Sequence, residues 1–168
     1  SISSNEVYGR SRPNGEVVTE TDAYDPQNPY AISKVTQEQL ALLFARQGQH
    51  GVVVRPFNHI GPGQLPPFMA PSFARQIARI EAGLQPPVMN VGNLAAERDF
   101  SDVRDVVRAY WLLIHHGQSG EVYNVGNGQL RSVQAVLDGL LAHSTVAVDV
   151  QVDPTLLRPN EPPGLRAD

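Results

Sequence analysis

The stretch that decides the fold is residues 28–58, NPYAISKVTQEQLALLFARQGQHGVVVRPFN. Asn28 is a favourable N-cap and Pro29 is favoured at the first helical position, so a helix is predicted to begin here and to end near Gly48 or Gly51. The closing GVVVRPFN is typical of a short buried strand. A buried strand that follows a helix is the pattern of a parallel β-α-β unit, and the predicted class is therefore α/β.

Helical and strand patterns continue to alternate after this stretch. A loop rich in Gly and Pro, GPGQLPPFMA, separates the later helices and strands from residues 28–58. The sequence contains no internal repeat. Ser72 and Ser132 are the expected N-caps of two of the helices. The predicted helices are 72–82, 102–117 and 132–143, and the predicted strands are 86–92, 122–125 and 146–152.

Composition excludes several classes of protein. The 168 residues are 41% hydrophobic and 18% charged, as expected of a globular domain. The absence of cysteine excludes disulfides and thiolate metal sites, and the five histidines lack ligand spacing, so no metal is expected. A net charge of −4 without a basic stripe argues against nucleic acid or an anionic membrane as partner. Without a long apolar run or a signal-peptide pattern, the expected compartment is the cytoplasm.

The two ends of the chain are not typical of a complete protein. It opens with SISSNEVYG, which has no initiator methionine and resembles the end of a buried strand running into a polar turn. It closes directly after a Pro-rich stretch, RPNEPPGLRAD. We therefore expect the chain to be a fragment of a longer protein.

Tyr30 and Lys34 form the first candidate site. Residues four apart on a helix share one side, so the ammonium lies near the phenol and favours the phenolate, which makes a general acid or base usable at neutral pH. Such a pair also occurs on ordinary solvated helices. Here Lys34 is the sole lysine, since the other 12 of the 13 basic residues are arginines. An upstream strand end can bring Ser3 or Ser4 to the same place, which favours a functional site.

The apolar residues of the predicted helix lie on a different side from this pair. At about 100° per residue, Ile32, Val35, Leu40 and Leu43 share one arc, and Tyr30 and Lys34 fall opposite to it. A pair turned away from the apolar arc is expected to face a ligand or solvent.

Four motifs together resemble the later half of an extended short-chain dehydrogenase/reductase that acts on nucleotide sugars. They are SSNEVYG, NPYAISK, VRPFNHIGPGQ and ERDFSDVRDVVRAY, in that order, and the resemblance covers essentially the whole chain. Within that superfamily, FNHIGPGQ, FARQIA, VGNL and RDFSDVRDVVRAYW are most similar to GDP-4-keto-6-deoxymannose reductases, which are close relatives of GDP-mannose 4,6-dehydratases.

The resemblance implies a fold and a division of the chain. We expect the later half of a Rossmann-like doubly wound sheet plus a small C-terminal substrate-binding region. Residues 1–60 would be the catalytic part of the sheet, and residues 61–168 mostly the substrate-binding region. The Gly-rich phosphate loop and the first strands, which bind the cofactor in this family, are not in the chain.

The resemblance also assigns roles to the catalytic residues. Ser4 would hydrogen-bond the sugar carbonyl and Tyr30 would donate the proton. Lys34 would favour ionisation of Tyr30 and hold the nicotinamide ribose, so Tyr30 and Lys34 would also contact the cofactor, NAD(P).

A second group of residues would bind the nucleotide sugar. Asn58 and His59 follow a strand, at the sheet edge where ligands of open α/β sheets bind. Arg98 and Arg158 would bind the diphosphate through their planar guanidinium groups, and Glu161 would accept from a ribose hydroxyl. The alternative for each is an ordinary solvated loop residue.

Three functions remain in competition. The first is NAD(P)H-dependent reduction of a 4-keto-6-deoxy nucleotide sugar, and the second is a 4,6-dehydratase or epimerase. Glu6 is the candidate acid or base for the second, although a structural role in the turn explains it as well. The third is an inactive fragment that binds a nucleotide sugar at most. By analogy with the family, the full-length protein is expected to be a homodimer.

A glycine pattern further along the chain imitates a dinucleotide-binding turn. Gly126 and Gly128 follow a predicted strand, and a helix and a second strand come next. Arg131 occupies the third glycine position and Ser132 caps the helix too late for Gly128 to open it. We therefore interpret this stretch as a plain strand-turn-helix connection.

Overall fold

The computed structural model describes residues 1–10, 17–157 and 164–168. Helices and strands alternate along these residues, but each of the first three helices is followed by two strands where the sequence predicted one. The helices are α1 (Pro29–Arg46), α2 (Met69–Glu81), α3 (Val103–His116) and α4 (Val133–Leu141), with 3₁₀ turns at Asn5–Tyr8 and Pro154–Leu156. The strands are β1 (Val17–Val18), β2 (Val53–Pro56), β3 (Asn58–Ile60), β4 (Val88–Val91), β5 (Glu97–Asp102), β6 (Val122–Val125), β7 (Leu130–Ser132), β8 (Asp149–Val152) and β9 (Arg166–Ala167).

One compact unit contains Ser1–Gly61, Arg98–Leu130 and the described residues 164–168, and we call it unit 1. Its central strands are parallel: β2 pairs with β6, and Ile2 forms a parallel bridge to Val54 on the other side of β2. The chain therefore passes from a strand end at Ile2 through α1 into β2. This is the β-α-β unit that the sequence predicts.

The core of unit 1 joins distant parts of the sequence. β1 and β9 form a short parallel pair in which Val18 lies opposite Ala167. Neither of these two-residue strands was predicted, because such short segments carry no period. The buried apolar cluster contains Val7, Tyr8, Val18, Phe57, Leu165 and Ala167, with Val35 of α1 packed against it.

The second compact unit, unit 2, contains Pro62–Glu97 and the described residues 131–157. β4 and β8 pair in parallel, and α2 and α4 contact each other. The buried cluster consists of Phe73, Ile77, Ile80, Met89, Val91 and Leu137. The division of function at residues 60 and 61 stays a prediction, since these units are defined by packing alone.

Helix α2 corrects one prediction. It begins at Met69 after an extended Phe68, and Ser72 is not its N-cap. Pro71 is the third residue of the helix, where the missing N–H has no partner within the helix to lose. The predicted cap at Ser132 is confirmed, because its side chain accepts from Ala135 N at 3.1 Å.

Helix α1 corrects another. Of the predicted apolar arc, Ile32, Leu40 and Leu43 are between 42% and 54% exposed, while Val35 packs against the core cluster. Most of the arc is therefore not on the face that packs. All 18 residues of α1 are described, and those that are buried are Ala31 and Glu38. The face of α1 that docks on the unit is therefore the one that continues from Lys34.

No helix in the described parts of the chain is long and apolar enough to cross a membrane.

Candidate active site

The first turn of α1 places Tyr30. Asn28 caps the helix with its side-chain oxygen, which accepts from Ala31 N at 2.8 Å, and Pro29 follows as predicted. Tyr30 is then 50% exposed and Lys34 half-buried. The Lys34 Nζ lies 5.6 Å from the centroid of the Tyr30 ring. The predicted juxtaposition of ammonium and phenol is therefore present, at a distance where a cation and an aromatic ring attract.

Lys34 is also fastened to the strand that leads to Ser4. Its Nζ donates to the carbonyl oxygen of Ile2 at 2.9 Å and to Oε1 of Gln37 at 3.1 Å. An ammonium has three donors, so these two bonds leave one for a ligand hydroxyl. The lysine thus has a fixed position and retains hydrogen-bonding capacity.

Ser4 lies at the end of the strand residues and opens the 3₁₀ turn Asn5–Tyr8. Its extended backbone makes it the N-cap, and its Oγ accepts from Glu6 N at 3.2 Å. The residue is 7% exposed. A hydroxyl that accepts in this way still has its hydrogen to donate, which is the property that polarising a carbonyl requires.

Glu6 serves the start of α1. Its Oε2 accepts from Nδ2 of Asn28 at 2.8 Å, while the other end of the Asn28 amide caps the helix. The carboxylate therefore connects the turn after Ser4 to the turn that carries Tyr30. This contact matches the structural alternative for Glu6 better than the acid-base one.

Gly9 brings a loop against the same turn. Its φ is +54°, and a Cβ there would lie 1.7 Å from the Asp25 carbonyl oxygen. Asp25 N in turn donates to Val7 O at 2.9 Å. Only glycine permits this approach, which leads the chain into the capping residue Asn28.

The substrate-binding candidates lie on two paired strands. β3 and β5 are parallel, with Asn58 opposite Phe100 and His59 opposite Ser101. Arg98 precedes Phe100 by two residues on β5 and is half-buried. His59 Nδ1 donates to Phe57 O at 3.0 Å, because a carbonyl can only accept. The other two candidates, Arg158 and Glu161, lie outside the described residues.

Asp99 was not singled out from the sequence. It is fully buried, and its carboxylate accepts from the main-chain N–H groups of Asn127, Gly128 and Ala167 at 2.7, 2.9 and 3.1 Å. The N–H groups of the Gly126–Gly128 turn therefore bind a carboxylate of the chain itself. This confirms that the turn is not a phosphate-binding loop.

A buried acid and base were also missed. Glu38 and Arg55 form an ion pair with side chains that are 0% and 2% exposed. One signal was available in the sequence: an arginine within the apolar strand VVVRP requires a buried acid nearby.

Tyr110 was missed as well. Burial raises the pKa of its phenol and the electrostatic influence of Tyr30 raises it further, so Tyr110 keeps its proton at pH 7.

No group of three or more His, Asp or Glu side chains that could hold a metal ion occurs among residues 1–10, 17–157 and 164–168.

Known proteins are similar to this chain over most of its length. The family described as NAD dependent epimerase/dehydratase matches residues 1–126. The GDP-6-deoxy-D-mannose reductase of Pseudomonas aeruginosa is 42% identical over 158 residues, which are 94% of this chain and 52% of that protein. A dTDP-glucose 4,6-dehydratase of an Actinoplanes species is 38% identical over 128 residues, 76% of this chain and 38% of that protein.

A solved structure matches over almost the whole chain. It is that of RMD from Pseudomonas aeruginosa complexed with NADPH, with a TM-score of 0.88 and 40% identity over 99% of this chain and 56% of that chain. The chain thus spans about half the length of the relatives it matches. The fold is confirmed as part of a Rossmann-like α/β sheet.

Proposed function

Because the chain belongs to the NAD dependent epimerase/dehydratase family, we propose that the whole protein reduces a 4-keto-6-deoxy nucleotide sugar with NAD(P)H. The substrate we assign is a GDP-4-keto-6-deoxymannose or a close analogue. The 42% identity to a GDP-6-deoxy-D-mannose reductase supports this choice over the other activities of the family.

The observation that carries the proposal is the placement of Tyr30, Lys34 and Ser4. Lys34 lies against the Tyr30 ring and is bonded to Ile2 O, two residues before Ser4. One helix thus presents a proton donor and a cation beside the strand end that carries a hydroxyl. Reduction of a ketone needs two groups at the carbonyl oxygen, a hydroxyl that polarises it and a proton donor that protonates it. Ser4 and Tyr30 are these two groups.

Each side chain has one task in this proposal. The Ser4 hydroxyl donates to the carbonyl oxygen and orients the ketone. Tyr30 gives its phenolic proton to that oxygen as it becomes an alkoxide, and the Lys34 ammonium stabilises the phenolate left behind. When bound, NAD(P)H supplies the hydride. The remaining N–H of Lys34 fits a ribose hydroxyl of that cofactor.

The nucleotide-sugar contacts remain proposals. Asn58 and His59 on β3 and Arg98 on β5 lie on neighbouring strands, which supports a common ligand for them. We assign Arg98 and Arg158 to the diphosphate and Glu161 to a ribose hydroxyl. These assignments suit a diphosphate because a guanidinium binds two phosphate oxygens at once.

A homodimer is part of the same proposal. The exposed apolar residues of α1, Ile32, Leu40, Leu43 and Phe44, suit a surface covered by a second copy. Sedimentation of the whole protein at micromolar concentration measures this directly.

The test is steady-state turnover of the complete protein with a 4-keto-6-deoxy nucleotide sugar and NAD(P)H. Tyr30→Phe removes the proton donor and is expected to lower turnover by about two to four orders of magnitude. Tyr123→Phe is the matched control, because it removes the hydroxyl of a tyrosine that has no role in the proposed reaction and that accepts a hydrogen bond from Gln118 N. Unchanged turnover in Tyr30→Phe would exclude the assignment.

Glu6→Gln separates reduction from dehydration or epimerisation. A reductase keeps most of its cofactor-dependent activity, since the Glu6 contact with Asn28 is structural. A roughly thousandfold loss with the fold intact would instead assign acid-base chemistry to Glu6. Product formation without net consumption of NAD(P)H would likewise favour the dehydratase or epimerase.

A further inference from the structure

The helix that carries Tyr30 and Lys34 also carries a buried acid that the proposed chemistry does not use. Tyr30, Lys34 and Glu38 follow one another at intervals of four residues and therefore share one side of α1. Exposure falls along this row, from 50% at Tyr30 to 0% at Glu38. The open end of the row holds the proposed proton donor, and the closed end holds a carboxylate.

Every oxygen of that carboxylate has partners. Arg55 of β2 donates from Nε to Oε1 at 3.0 Å and from Nη2 to Oε2 at 2.7 Å, the two-pronged geometry that a guanidinium and a carboxylate prefer. The Tyr24 hydroxyl donates to Oε2 at 2.8 Å. The Ser3 hydroxyl donates to Oε1.

Arg55 extends the network to other segments. Its Nη1 donates to the Tyr8 hydroxyl at 2.8 Å and to Glu20 O at 3.1 Å, and its Nη2 donates to the Tyr24 hydroxyl at 2.8 Å. Its guanidinium carbon lies 4.9 Å from the centroids of both tyrosine rings. The cation is thus enclosed by aromatic faces and fully hydrogen-bonded.

Arg55 and the two tyrosines around it keep their protons within this network. Burial by itself would lower the pKa of Arg55, but the hydrogen bonds to Glu38 and Tyr8 raise it above its ordinary value. Burial raises the pKa of both Tyr8 and Tyr24, so both phenols keep the protons that they donate. Arg55, Tyr8 and Tyr24 therefore keep their protons near neutral pH.

The strand before Ser4 meets α1 through this network. Ser3 binds Glu38 through its side chain and Val54 O through its main-chain N–H at 2.7 Å. One residue earlier, Ile2 O receives Lys34 Nζ, and Gln37 Nε2 donates to the same oxygen at 3.2 Å. The segment that leads into Ser4 is thus held by three side chains of one stretch of α1.

Apolar packing gives α1 little hold on this unit. Besides Glu38, the buried residue of α1 is Ala31, and the half-buried Val35 packs against the core cluster. These two small side chains are a weak constraint on the rotation and the sliding of an 18-residue helix. Hydrogen bonds to charged groups depend steeply on distance and angle. An ion pair with fixed partners therefore determines a register that a small apolar contact leaves free.

We propose that Glu38 and Arg55 are positioning residues that set the register of α1 against the strand of Ser4, and so align Tyr30 and Lys34 with the Ser4 hydroxyl. This rests on the proposed function, in which those three residues perform the reaction. Neither Glu38 nor Arg55 touches the substrate. Their contribution is expected in turnover and not in substrate affinity.

The experiment compares kcat and KM in the complete protein at a temperature where each variant is folded by circular dichroism. Glu38→Gln keeps the shape of the side chain but removes its charge. We expect kcat to fall by about a hundredfold, the effect of a misplacement near 1 Å, with KM for the nucleotide sugar within about twofold.

Ser3→Ala is the milder variant and decides the question if Glu38→Gln does not fold. It removes one donor and leaves the ion pair intact, so a smaller fall in kcat is expected. Ser3→Thr keeps the hydroxyl and is expected to restore kcat. Val54→Ala is the matched control, because Val54 is a buried residue of the same strand as Arg55 on the opposite face of the sheet.

The outcomes separate this proposal from the function it rests on. If Tyr30→Phe is inactive while folded Glu38→Gln and Ser3→Ala keep the wild-type kcat, the positioning proposal is wrong and the function stands. If Tyr30→Phe also keeps its turnover, the proposed function itself is wrong. An equal loss of kcat in Val54→Ala would also overturn the proposal, because reduced stability alone would then explain the effect.

Discussion

Helices α1 and α2 are held in place by opposite means. α2 buries Phe73, Ile77 and Ile80 against Met89, Val91 and Leu137, an entirely apolar cluster. α1 leaves most of its large apolar residues exposed and is held by a buried carboxylate and side-chain hydrogen bonds. A hydrophobic pattern therefore predicts how α2 packs but says nothing about which face of α1 is buried.

The two solutions have different physical properties. Apolar contact is non-directional and tolerates exchange between side chains of equal volume. A buried ion pair is directional, and removal of one partner leaves an uncompensated charge. Helix α1, which presents the candidate catalytic residues, is held by the buried ion pair, and helix α2 by apolar contact. Substitutions in the two helices and their partners test this difference.

The largest loss of stability is expected from Arg55→Met. It leaves the Glu38 carboxylate buried without its cation, which costs about 3 to 5 kcal/mol of unfolding free energy. The double variant Glu38→Met/Arg55→Met removes both charges and is expected to be more stable than the single one. Urea unfolding followed by circular dichroism at pH 7 measures both. A double variant that is less stable than Arg55→Met would contradict the ion-pair account.

Leu137→Ala tests the apolar cluster of unit 2. Leu137 is fully buried, so truncation is expected to cost about 3 kcal/mol through lost transfer free energy and an unfilled cavity. Leu137→Met, which conserves volume, is expected to cost less than about 1.5 kcal/mol. The same unfolding experiment applies. Equal losses of unfolding free energy in the two variants would show that this cluster depends on the exact shape of its side chains, and not only on their volume.

Asn28→Ala is expected to lower the free energy of unfolding by about 1 kcal/mol, the usual contribution of an N-cap. Loss of the hydrogen bond to Glu6 is expected to lower it further. Ser132→Ala is the matched control in unit 2, because Ser132 caps α4. Thermal unfolding should show the larger loss for Asn28→Ala. If Ser132→Ala costs as much, the bond between Asn28 and Glu6 adds nothing to the stability of α1.

The smallest effect is expected at the exposed cap of α3. Hydrogen bonds from the side chain and main chain of Arg104 lower the pKa of Asp102 to about 2. A lowered pKa stabilises the folded state above the ordinary carboxyl value, and this contribution is lost as the pH falls from about 4 to about 2.

Asp102→Asn keeps a capping oxygen but cannot ionise, so it isolates this contribution. The melting temperature of the wild type should exceed that of the variant slightly at pH 7, and the gap should close by pH 2. A gap that is independent of pH would show that ionisation of Asp102 does not stabilise α3. High salt should also narrow the gap, since both side chains are exposed to solvent.

The sequence predicted most of the framework. The α1 start at Asn28 and Pro29, the α4 cap and the strands β2, β4 and β6 are found where periodicity and capping residues place them. The contact between Tyr30 and Lys34 also follows from helical spacing. These features are local, and local chemistry determines them.

The features that were missed depend on partners far away in the sequence. Asp99 needs the N–H of Ala167, and Glu38 needs Arg55 and Ser3. The arginine within VVVRP indicated a buried acid, but nothing in the sequence pattern says which acid reaches it. The exposure of Ile32 and Leu40 was missed for the same reason, because a period locates an apolar face and not what covers it.

The bond between Asp99 and Ala167 has a consequence for synthesis on the ribosome. β1 and Asp99 leave the exit tunnel long before β9. Their partner in β9 is Ala167, which lies opposite Val18 and donates its main-chain N–H to the Asp99 carboxylate. Translation thus delivers β9 of unit 1 only after β4 and β8 of unit 2 have both emerged. A nascent chain stalled before residue 164 would lack Leu165 and Ala167 and would leave the apolar cluster around Val18 and Phe57 incomplete, as a surface that chaperones recognise.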